Sequence, residues 1–200
     1  MQRRIQTALS VIMVSMVVAT GCTLPRSTTT TRTAIEQSLM STSAKDSLSG
    51  LRAEVQEAQL SGKTFKIDDA ALVSSDKDVI RGVIEQQLLA EGMKKAAENP
   101  EVVIVPVAEV SGIDDAEFLI GIPAIGVPTP GGLVGLPELA LFKRSPQRGR
   151  NLLSLHGYEA KEGKGVLFVE GQMAKRHYVR HKFLLFFNYN NTNLPLEPSK

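Results

Sequence analysis

The alternation of apolar and polar residues predicts a helix at the start of the folded part of the chain. It begins at a capping box, in which the side chains of Thr33 and Glu36 can each accept a hydrogen bond from the other residue's backbone N–H. Apolar residues then recur close to the helical period, at Ile35, Leu39, Leu48, Leu51 and Val55. Ser47, Ser49 and Gly50 interrupt this pattern, so the helix can end early.

A second helix is predicted after Ser75 or Asp76, either of which can cap it. Gly92 is a plausible stop, although residues 94–99 can extend the helix as far as Pro100. One apolar stripe follows the helical period, at Val79, Ile80, Val83, Ile84, Leu88 and Leu89.

Strands are predicted on either side of this second helix. Residues 63–68 alternate, which places Phe65 and Ile67 on one face of a half-buried strand. Residues 101–110 form a β-branched run in which Pro106 fits a bulge or an edge better than a central strand. Strand, helix and strand in this order indicate a β-α-β crossover, which is right-handed if the strands are parallel.

Short apolar or alternating segments fill the second half, at residues 138–143, 152–160, 166–172 and 176–188. Turn-forming residues separate them at 145–149, 161–165 and 173–175, which is typical of an antiparallel meander. The predicted fold class is therefore α/β (α+β): two N-terminal helices with a β-α-β unit, then an antiparallel β-meander, in a single mixed sheet.

The first 21 residues have the composition of a bacterial lipoprotein signal peptide. Arg3 and Arg4 precede an apolar run over residues 5–19, and Gly21 leads into Cys22. The run is about 15 residues long, whereas a membrane-spanning helix needs roughly 20. We therefore predict cleavage before Cys22 and acylation of that residue, the only cysteine in the chain.

The predicted organisation after cleavage is a flexible tether over residues 22–32, one periplasmic domain over residues 33–190 and a polar tail over residues 191–200. Thr23 follows the acylated residue where inner-membrane lipoproteins of well-studied Gram-negative bacteria carry Asp. We therefore expect an outer-membrane lipoprotein that faces the periplasm, with an inner-membrane location or a differently sorting host as the alternative.

Charge gives no reason to expect nucleic-acid binding. Removing residues 1–21 removes two arginines and no acid from the 23 basic and 21 acidic side chains, which leaves the mature chain formally neutral. The charges are unevenly distributed, with 17 acids and 8 bases in residues 36–138 but 4 acids and 11 bases in residues 139–200. This asymmetry indicates either a basic face or two halves whose charges intersperse on folding.

Residues 121–137 are rich in glycine, proline and aliphatic residues, and they predict a long irregular loop. We expect this loop to be the main contact surface, through Ile122, Pro123, Val127, Pro128, Pro130 and Leu133. It lacks the lysine and hydroxyl residue of a phosphate-binding loop. The alternatives are a cover for the core or a patch that faces the membrane.

Four cations flank the predicted turn at Pro146, namely Lys143, Arg144, Arg148 and Arg150. Around one hairpin tip they could contact lipid head groups, acidic cell-wall polymer or an acidic partner. A solvated, charged turn is the simpler alternative.

No pattern predicts a metal, a cofactor or a catalytic nucleophile. His177 and His181 lie about 13 Å apart if they are in a strand, too far to chelate one ion. Asp114, Asp115 and Glu117 lack the spacing of a calcium loop. An enzyme would need these acids, or the histidines at 156 and 177, to converge in a cleft.

Several segments together resemble a family of bacterial membrane-anchored lipoproteins to which no function is assigned. They are Cys22 with its threonine-rich tether, Arg32-Thr33-Ala34-Ile35-Glu36-Gln37, Gly62-Lys63-Thr64-Phe65, Ile122-Pro123 and Pro137-Glu138-Leu139-Ala140-Leu141-Phe142-Lys143-Arg144. The resemblance implies a lipid anchor and one domain, but no activity. The predicted fold is also loosely similar to small α/β domains of periplasmic envelope-assembly proteins, which is an analogy.

The sequence therefore favours a lipid-anchored envelope protein that acts by binding, as an accessory, assembly or scaffold factor. We expect two partners, the membrane through the N-terminal lipid and an envelope protein. The alternatives are a periplasmic carrier of lipid or glycan and, as a minor hypothesis, an envelope hydrolase.

Overall fold

The computed structural model describes residues 22–23, 32–129 and 132–195. The described residues form three helices and eleven strands. The helices are α1 (Ala34–Ser47), α2 (Leu51–Glu57) and α3 (Lys77–Ala90). The strands are β1 (Cys22–Thr23), β2 (Thr64–Ile67), β3 (Lys94–Lys95), β4 (Val102–Asp115), β5 (Phe118–Ile122), β6 (Ile125–Thr129), β7 (Gly132–Leu136), β8 (Leu139–Glu159), β9 (Gly165–Val169), β10 (Ala174–Phe183) and β11 (Phe187–Thr192).

Nine of these strands form a single mixed sheet, which confirms the predicted α/β class. Its main path runs β1-β5-β8-β4-β2-β3; β9 and β10 also pair with β8, and β11 pairs with β10. The remaining strands, β6 and β7, pair only with each other among the described residues. Because β9 and β10 both pair with β8, the C-terminal strands do not follow the simple order of a meander.

Helix α1 begins as predicted, with both hydrogen bonds of the capping box formed. The backbone N–H of Thr33 donates to Glu36 Oε2 at 2.8 Å, and that of Glu36 donates to Thr33 Oγ1 at 3.3 Å. The helix ends at Ser47, and Gly50 separates it from the two-turn helix α2. The interruption at residues 47–50 therefore does end the first helix early.

Helix α3 also begins where the sequence predicts, but its preceding residue has a different role. Asp76 caps no backbone N–H with its side chain; both carboxylate oxygens instead accept hydrogen bonds from the guanidinium of Arg32. The buried stripe contains Ile80, Ile84 and Leu88, while Leu89 is exposed. The buried residues are four positions apart, so the buried stripe is narrower than the predicted stripe of six apolar residues.

The predicted extension of α3 over residues 94–99 is wrong. The chain leaves the helix at Gly92, whose φ of +88° is a conformation that favours glycine. Residues Lys94–Lys95 then form β3, which is parallel to β2. Because β2 is also parallel to β4, strand, helix and strand form the expected β-α-β arrangement.

The two predicted strands of the first half are confirmed. Phe65 and Ile67 of β2 are both buried. Pro106 lies inside β4, two residues beyond Ile104, where the register with β2 ends. Its missing N–H therefore falls outside the paired part on that side, as an edge position allows.

The turn predicted at residues 145–149 does not exist, because β8 runs through it without interruption. The carbonyl of Pro146 accepts a hydrogen bond from the N–H of Ala116 at 3.1 Å. Gly149 lies so close to helix α1 that a Cβ there would come within 2.8 Å of Leu39 O. Pro146 therefore takes part in strand pairing and Gly149 allows close helix packing, and neither residue reverses the chain.

The turn at residues 161–165 is confirmed, with Gly163 at a φ of +68° between β8 and β9. The segment 176–188, predicted as one strand, is instead divided between β10 and β11. Leu184 and Leu185 make the reversal at φ values of 45° and 67°. Leucine is uncommon in this left-handed region, so the local sequence carries no turn signal.

The predicted irregular loop over residues 121–137 is also wrong. Gly121 and Ile122 end β5, and the antiparallel pair β6–β7 follows, with Ile125 opposite Leu136 and Pro128 opposite Leu133. A ribbon of only two strands tolerates proline because each strand has an unpaired edge. Glycine and proline are common both in irregular loops and in two-stranded ribbons of this kind. Composition alone could therefore not distinguish the two.

The chain divides into two compact units. The helical unit comprises the described residues of 30–114, 148–177 and 193–200, and the strand unit comprises those of 1–29, 115–147 and 178–192. The helical unit contains the main hydrophobic core, to which all three helices and strands β2, β4, β8 and β9 contribute buried residues. Its most buried members include Val55, Phe65, Ile84, Ile104, Leu153 and Leu155.

The predicted signal peptide and residues 24–31 of the predicted tether lie outside the described residues. Both ends of that tether are structured, since Cys22 pairs with Leu119 and Arg32 binds Asp76. In the predicted tail, residues 191–192 belong to β11 and Leu194 is buried, while residues 196–200 are not described. Of the helices described, none has the length and apolar character needed to cross a bilayer.

Candidate binding surface

Strand pairing in the strand unit gives its sheet two chemically different faces. Directly opposite residues of an antiparallel pair share a face, and successive residues along a strand alternate between faces. Phe118 lies opposite Arg144 and Ile120 opposite Phe142, so these four residues share one face. Leu119 and Lys143, which are directly opposite each other, lie on the other face.

The first of these is the aromatic face. Phe142 is at its centre, with ring centroids 6.0 Å from Phe118, 5.0 Å from Phe183 and 6.2 Å from His181. His181 also contacts Tyr189 at 5.9 Å. These separations fall within the range of favourable aromatic pairs, so the rings support one another as a continuous platform.

The outer part of the aromatic face is open to solvent. Phe187, which lies opposite Phe183 in the β10–β11 register, is 67% exposed, and Tyr189 is 60% exposed. Rigid aromatic side chains are enriched in the buried centres of protein interfaces. An open aromatic platform of this kind is an exposed apolar patch and therefore a candidate interaction surface.

Exposed aliphatic residues lie at the end of β5 and the start of β8, beyond an irregularity in the register of these two strands. A register shift after Ile120 brings Ile122 opposite Leu139. Ile122, Leu139 and Leu141 are 52%, 47% and 55% exposed, although leucine and isoleucine are usually inside. Along β10, Arg180 and Lys182 alternate with His181 and Phe183, which contact Phe142, so the two cations lie on the face that contains Lys143.

The turn between β10 and β11 continues the apolar surface at the end of the sheet. The N–H of Leu184 donates to Leu141 O at 2.9 Å, which fixes the turn beside the first residues of β8. Leu184 is exposed, and Phe186 is 80% exposed. The strand unit therefore presents exposed apolar groups on its aromatic face and at this end of the sheet.

A partly buried ion-pair network lies beside these exposed aliphatic residues. Lys143 Nζ lies 2.9 Å from Glu117 Oε1 and 2.7 Å from Glu138 Oε2. Burial lowers the pKa of Lys143, but its hydrogen bonds to Glu138 and Glu117 outweigh burial and raise the pKa overall. The two glutamates flank residues 118–137, a run without a single charged side chain, so the network ties its two ends together.

Only some of the contact residues predicted from the sequence lie on a surface that the structure describes. Ile122 and Pro123 are exposed at the end of β5. The backbone of Val127, Pro128 and Leu133 forms the β6–β7 ribbon, but their side chains lie outside the described part. Pro130 lies outside the described residues altogether.

The four predicted cations do not surround a hairpin tip, because they follow one another along β8. Lys143 is bound by two glutamates, and Arg150 Nε lies 3.1 Å from Asp114 Oδ2. Arg144 and Arg148 are exposed. Extended strand geometry spreads these charges over about 20 Å instead of concentrating them at one turn.

The residues considered for catalysis have separate structural partners. His156 packs against Phe168, its register partner in β9, with ring centroids 5.0 Å apart. His177 and His181 both lie in β10, as expected for a strand. The backbone N–H of His177 donates a hydrogen bond to Asn193 Oδ1. Among the described residues, no three metal-binding side chains come together.

Sequence reasoning missed the aromatic face entirely. Its residues come from four strands, and the β10–β11 turn that brings His181 beside Tyr189 has no turn signal. One available clue was the concentration of aromatic residues near the C-terminus. The segment from 183 to 189 holds three of the seven phenylalanines and one of the three tyrosines.

Comparison with known proteins does not narrow the class of protein further. No protein-family model matches this chain, and no curated protein matches it.

Proposed function

We propose that this protein is a lipid-anchored component of the cell envelope that acts by binding, as an accessory or assembly factor for another envelope protein. Its anchor is the acylated Cys22, and its domain faces the periplasm from the outer membrane. The aromatic face of the strand unit is the contact surface for the protein partner. The single observation that carries this proposal is the exposure of Phe187 and Tyr189 at the rim of a supported aromatic platform.

The composition of the aromatic face matches the centre of a protein interface. Phenylalanine, tyrosine and arginine are enriched there, and Arg144 lies opposite Phe118 at the margin of the platform. Contacts with Phe118, His181 and Phe183 hold Phe142 in place, so little side-chain entropy is lost when a partner covers this surface.

In-cell crosslinking of the full acylated protein tests the proposal, with mass spectrometry of the captured protein. The test variant carries Phe187→Ser and Tyr189→Ser, which remove exposed rings. Phe168→Ser is the matched control, because Phe168 is an exposed phenylalanine of the helical unit. Cys22→Ala tests the anchor.

We expect one dominant envelope protein to be captured by the parent and by Phe168→Ser. Its capture should fall strongly in the double variant and in Cys22→Ala, while circular dichroism of the double variant stays unchanged. Capture that is the same in the double variant as in the parent refutes the assignment of the aromatic face. Capture of lipid or glycan alone favours a carrier.

A further inference from the structure

We infer that strand β11 pairs antiparallel with β11 of a second copy of this chain, so that the sheets of two copies join edge to edge. The two-fold axis of this pairing passes through the position of Tyr189. The inference goes beyond the proposed function, because it concerns the backbone edge of the strand unit and a partner that is identical to the chain itself.

Strand β11 is a free edge in the part of the chain that the structure describes. It pairs with β10 and with no other described strand. Asn188 and Asn190, near its centre, are exposed. A sheet edge of this kind presents a row of backbone N–H and C=O groups and is a template for another strand.

The hydrogen bonds of the β10–β11 hairpin show which backbone groups face outward. The N–H of Asn193 donates to His177 O at 3.3 Å, one position beyond the last pair of the register. Hydrogen-bonded and non-hydrogen-bonded pairs alternate along an antiparallel ladder. Odd-numbered residues of β11 therefore direct their N–H and C=O groups toward β10, whereas Asn188 and Asn190 direct theirs to the free edge.

The composition of this edge suits a second copy. Residues 183–195 contain no charged side chain, so two identical strands can approach without like-charge repulsion. Natural edge strands are commonly protected from such pairing by lysine or by short length. Strand β3, which ends the main path of the sheet, has only two residues and both are lysines, whereas β11 has six uncharged residues.

The nearest cations lie too far from the edge to oppose this pairing. Arg180 and Lys182 belong to β10, one strand inside the edge. Three strand spacings of about 4.8 Å would separate them from their counterparts, which is about 14 Å. That distance exceeds the Debye length of about 8 Å at physiological ionic strength, so their repulsion is largely screened.

The outward groups determine the register of the two copies. When Asn188 lies opposite Asn190 of the second copy, and Asn190 opposite Asn188, each pair exchanges both N–H···O hydrogen bonds. Tyr189 then lies opposite Tyr189 of the second copy in a non-hydrogen-bonded pair, with Cα atoms about 4.5 Å apart. Tyr189 is 60% exposed, and directly opposite aromatic residues stabilise a sheet. The aromatic face thereby continues from one copy to the next.

Cysteine crosslinking of the full-length protein in intact cells tests this register. The variants carry Tyr189→Cys, Phe187→Cys or Asn191→Cys, one at a time, and are treated with a mild oxidant. All three positions share one face of β11, but the register places residues 187 and 191 about 14 Å from their own counterparts, too far for a disulfide. Mass spectrometry of the linked peptides shows which cysteines have joined, and so distinguishes the introduced cysteine from Cys22.

We expect Tyr189→Cys to form a disulfide-linked dimer of this chain at least about tenfold faster than the other two variants. Adding Asn190→Pro to Tyr189→Cys should abolish the dimer, because proline removes an N–H that faces the second copy and none that faces β10. Asn190→Ala is the matched control, since it keeps this N–H and should keep the dimer. Circular dichroism verifies that the proline variant is folded.

Equal crosslinking rates at the three positions, or no dimer from Tyr189→Cys, overturn the inference. A folded Asn190→Pro variant that crosslinks as fast as Asn190→Ala also overturns it. If the proline variant does not fold, the comparison of the three cysteine positions decides alone. Capture of an envelope partner is measured separately, so the proposed function stands or falls independently of this pairing.

Discussion

Replacing Arg32 by Met should destabilise the helical unit through a residue that lies outside every helix and strand. The guanidinium of Arg32 binds both carboxylate oxygens of Asp76, and Asp76 is only 6% exposed. Arg32 lies just before α1 and Asp76 just before α3, so their bidentate pair joins the starts of the two long helices. Met keeps the apolar stem and removes the charge.

The expected loss is about 3 kcal/mol of unfolding free energy, since removing one partner of a buried ion pair typically costs about 3–5 kcal/mol. The cost arises because the remaining charge is left without compensation. Arg32 is itself 25% exposed, and the Ser75 hydroxyl still donates to Asp76 Oδ2 at 3.1 Å, which favours the lower limit. For a chain of this size, that loss lowers the melting temperature by roughly 6–12 °C.

Urea unfolding monitored by circular dichroism would measure this loss in a double-mutant cycle. The cycle contains Arg32→Met, Asp76→Asn and the double variant. The double variant should be more stable than Arg32→Met alone, because the amide that replaces the Asp76 carboxylate leaves no buried charge. A double variant that is no more stable than Arg32→Met would show that the buried carboxylate is not the source of the loss, and would refute this explanation.

Three further predictions concern stability. Asn151 is fully buried and donates a hydrogen bond through Nδ2 to Ser43 Oγ at 2.7 Å. In urea unfolding, Asn151→Asp should lower the free energy of unfolding by about 3–5 kcal/mol, because it buries a charge, and Asn151→Ala by about 1–3 kcal/mol. Equal losses in the two variants would contradict the role of charge. A Cβ at Gly171 would lie 2.0 Å from a backbone oxygen, so Gly171→Ala should lower stability by at least about 1–3 kcal/mol, while Gly165→Ala, with no atom within 4 Å, should be nearly neutral in the same assay. The backbone N–H and hydroxyl of Thr64 donate to Glu101 and lower its pKa below the ordinary 4.5. This contribution is present above pH 4.5 and lost as the pH falls through the lower, folded-state pKa; Glu101→Gln should therefore flatten the acid limb of a stability–pH curve, and an unchanged limb would contradict the assignment.

The sequence by itself determined those features whose physical cause lies within a few consecutive residues. The capping box at Thr33 and Glu36 is complete within one turn of helix, and the alternation around Phe65 needs only the two-residue period of a strand. The turn at Gly163 follows from local glycine geometry. Each of these features was predictable because no distant residue competes with the local preference.

Only the tertiary structure decided the features that distant residues create. Glycine and proline at 146–149 predicted a turn, but pairing with Ala116 and close packing on Leu39 keep β8 extended. The candidate surface shows the same limit, since Ile122 was predicted from composition whereas the aromatic face was not. That face joins rings up to 71 positions apart, from Phe118 to Tyr189, and only the strand register brings them together.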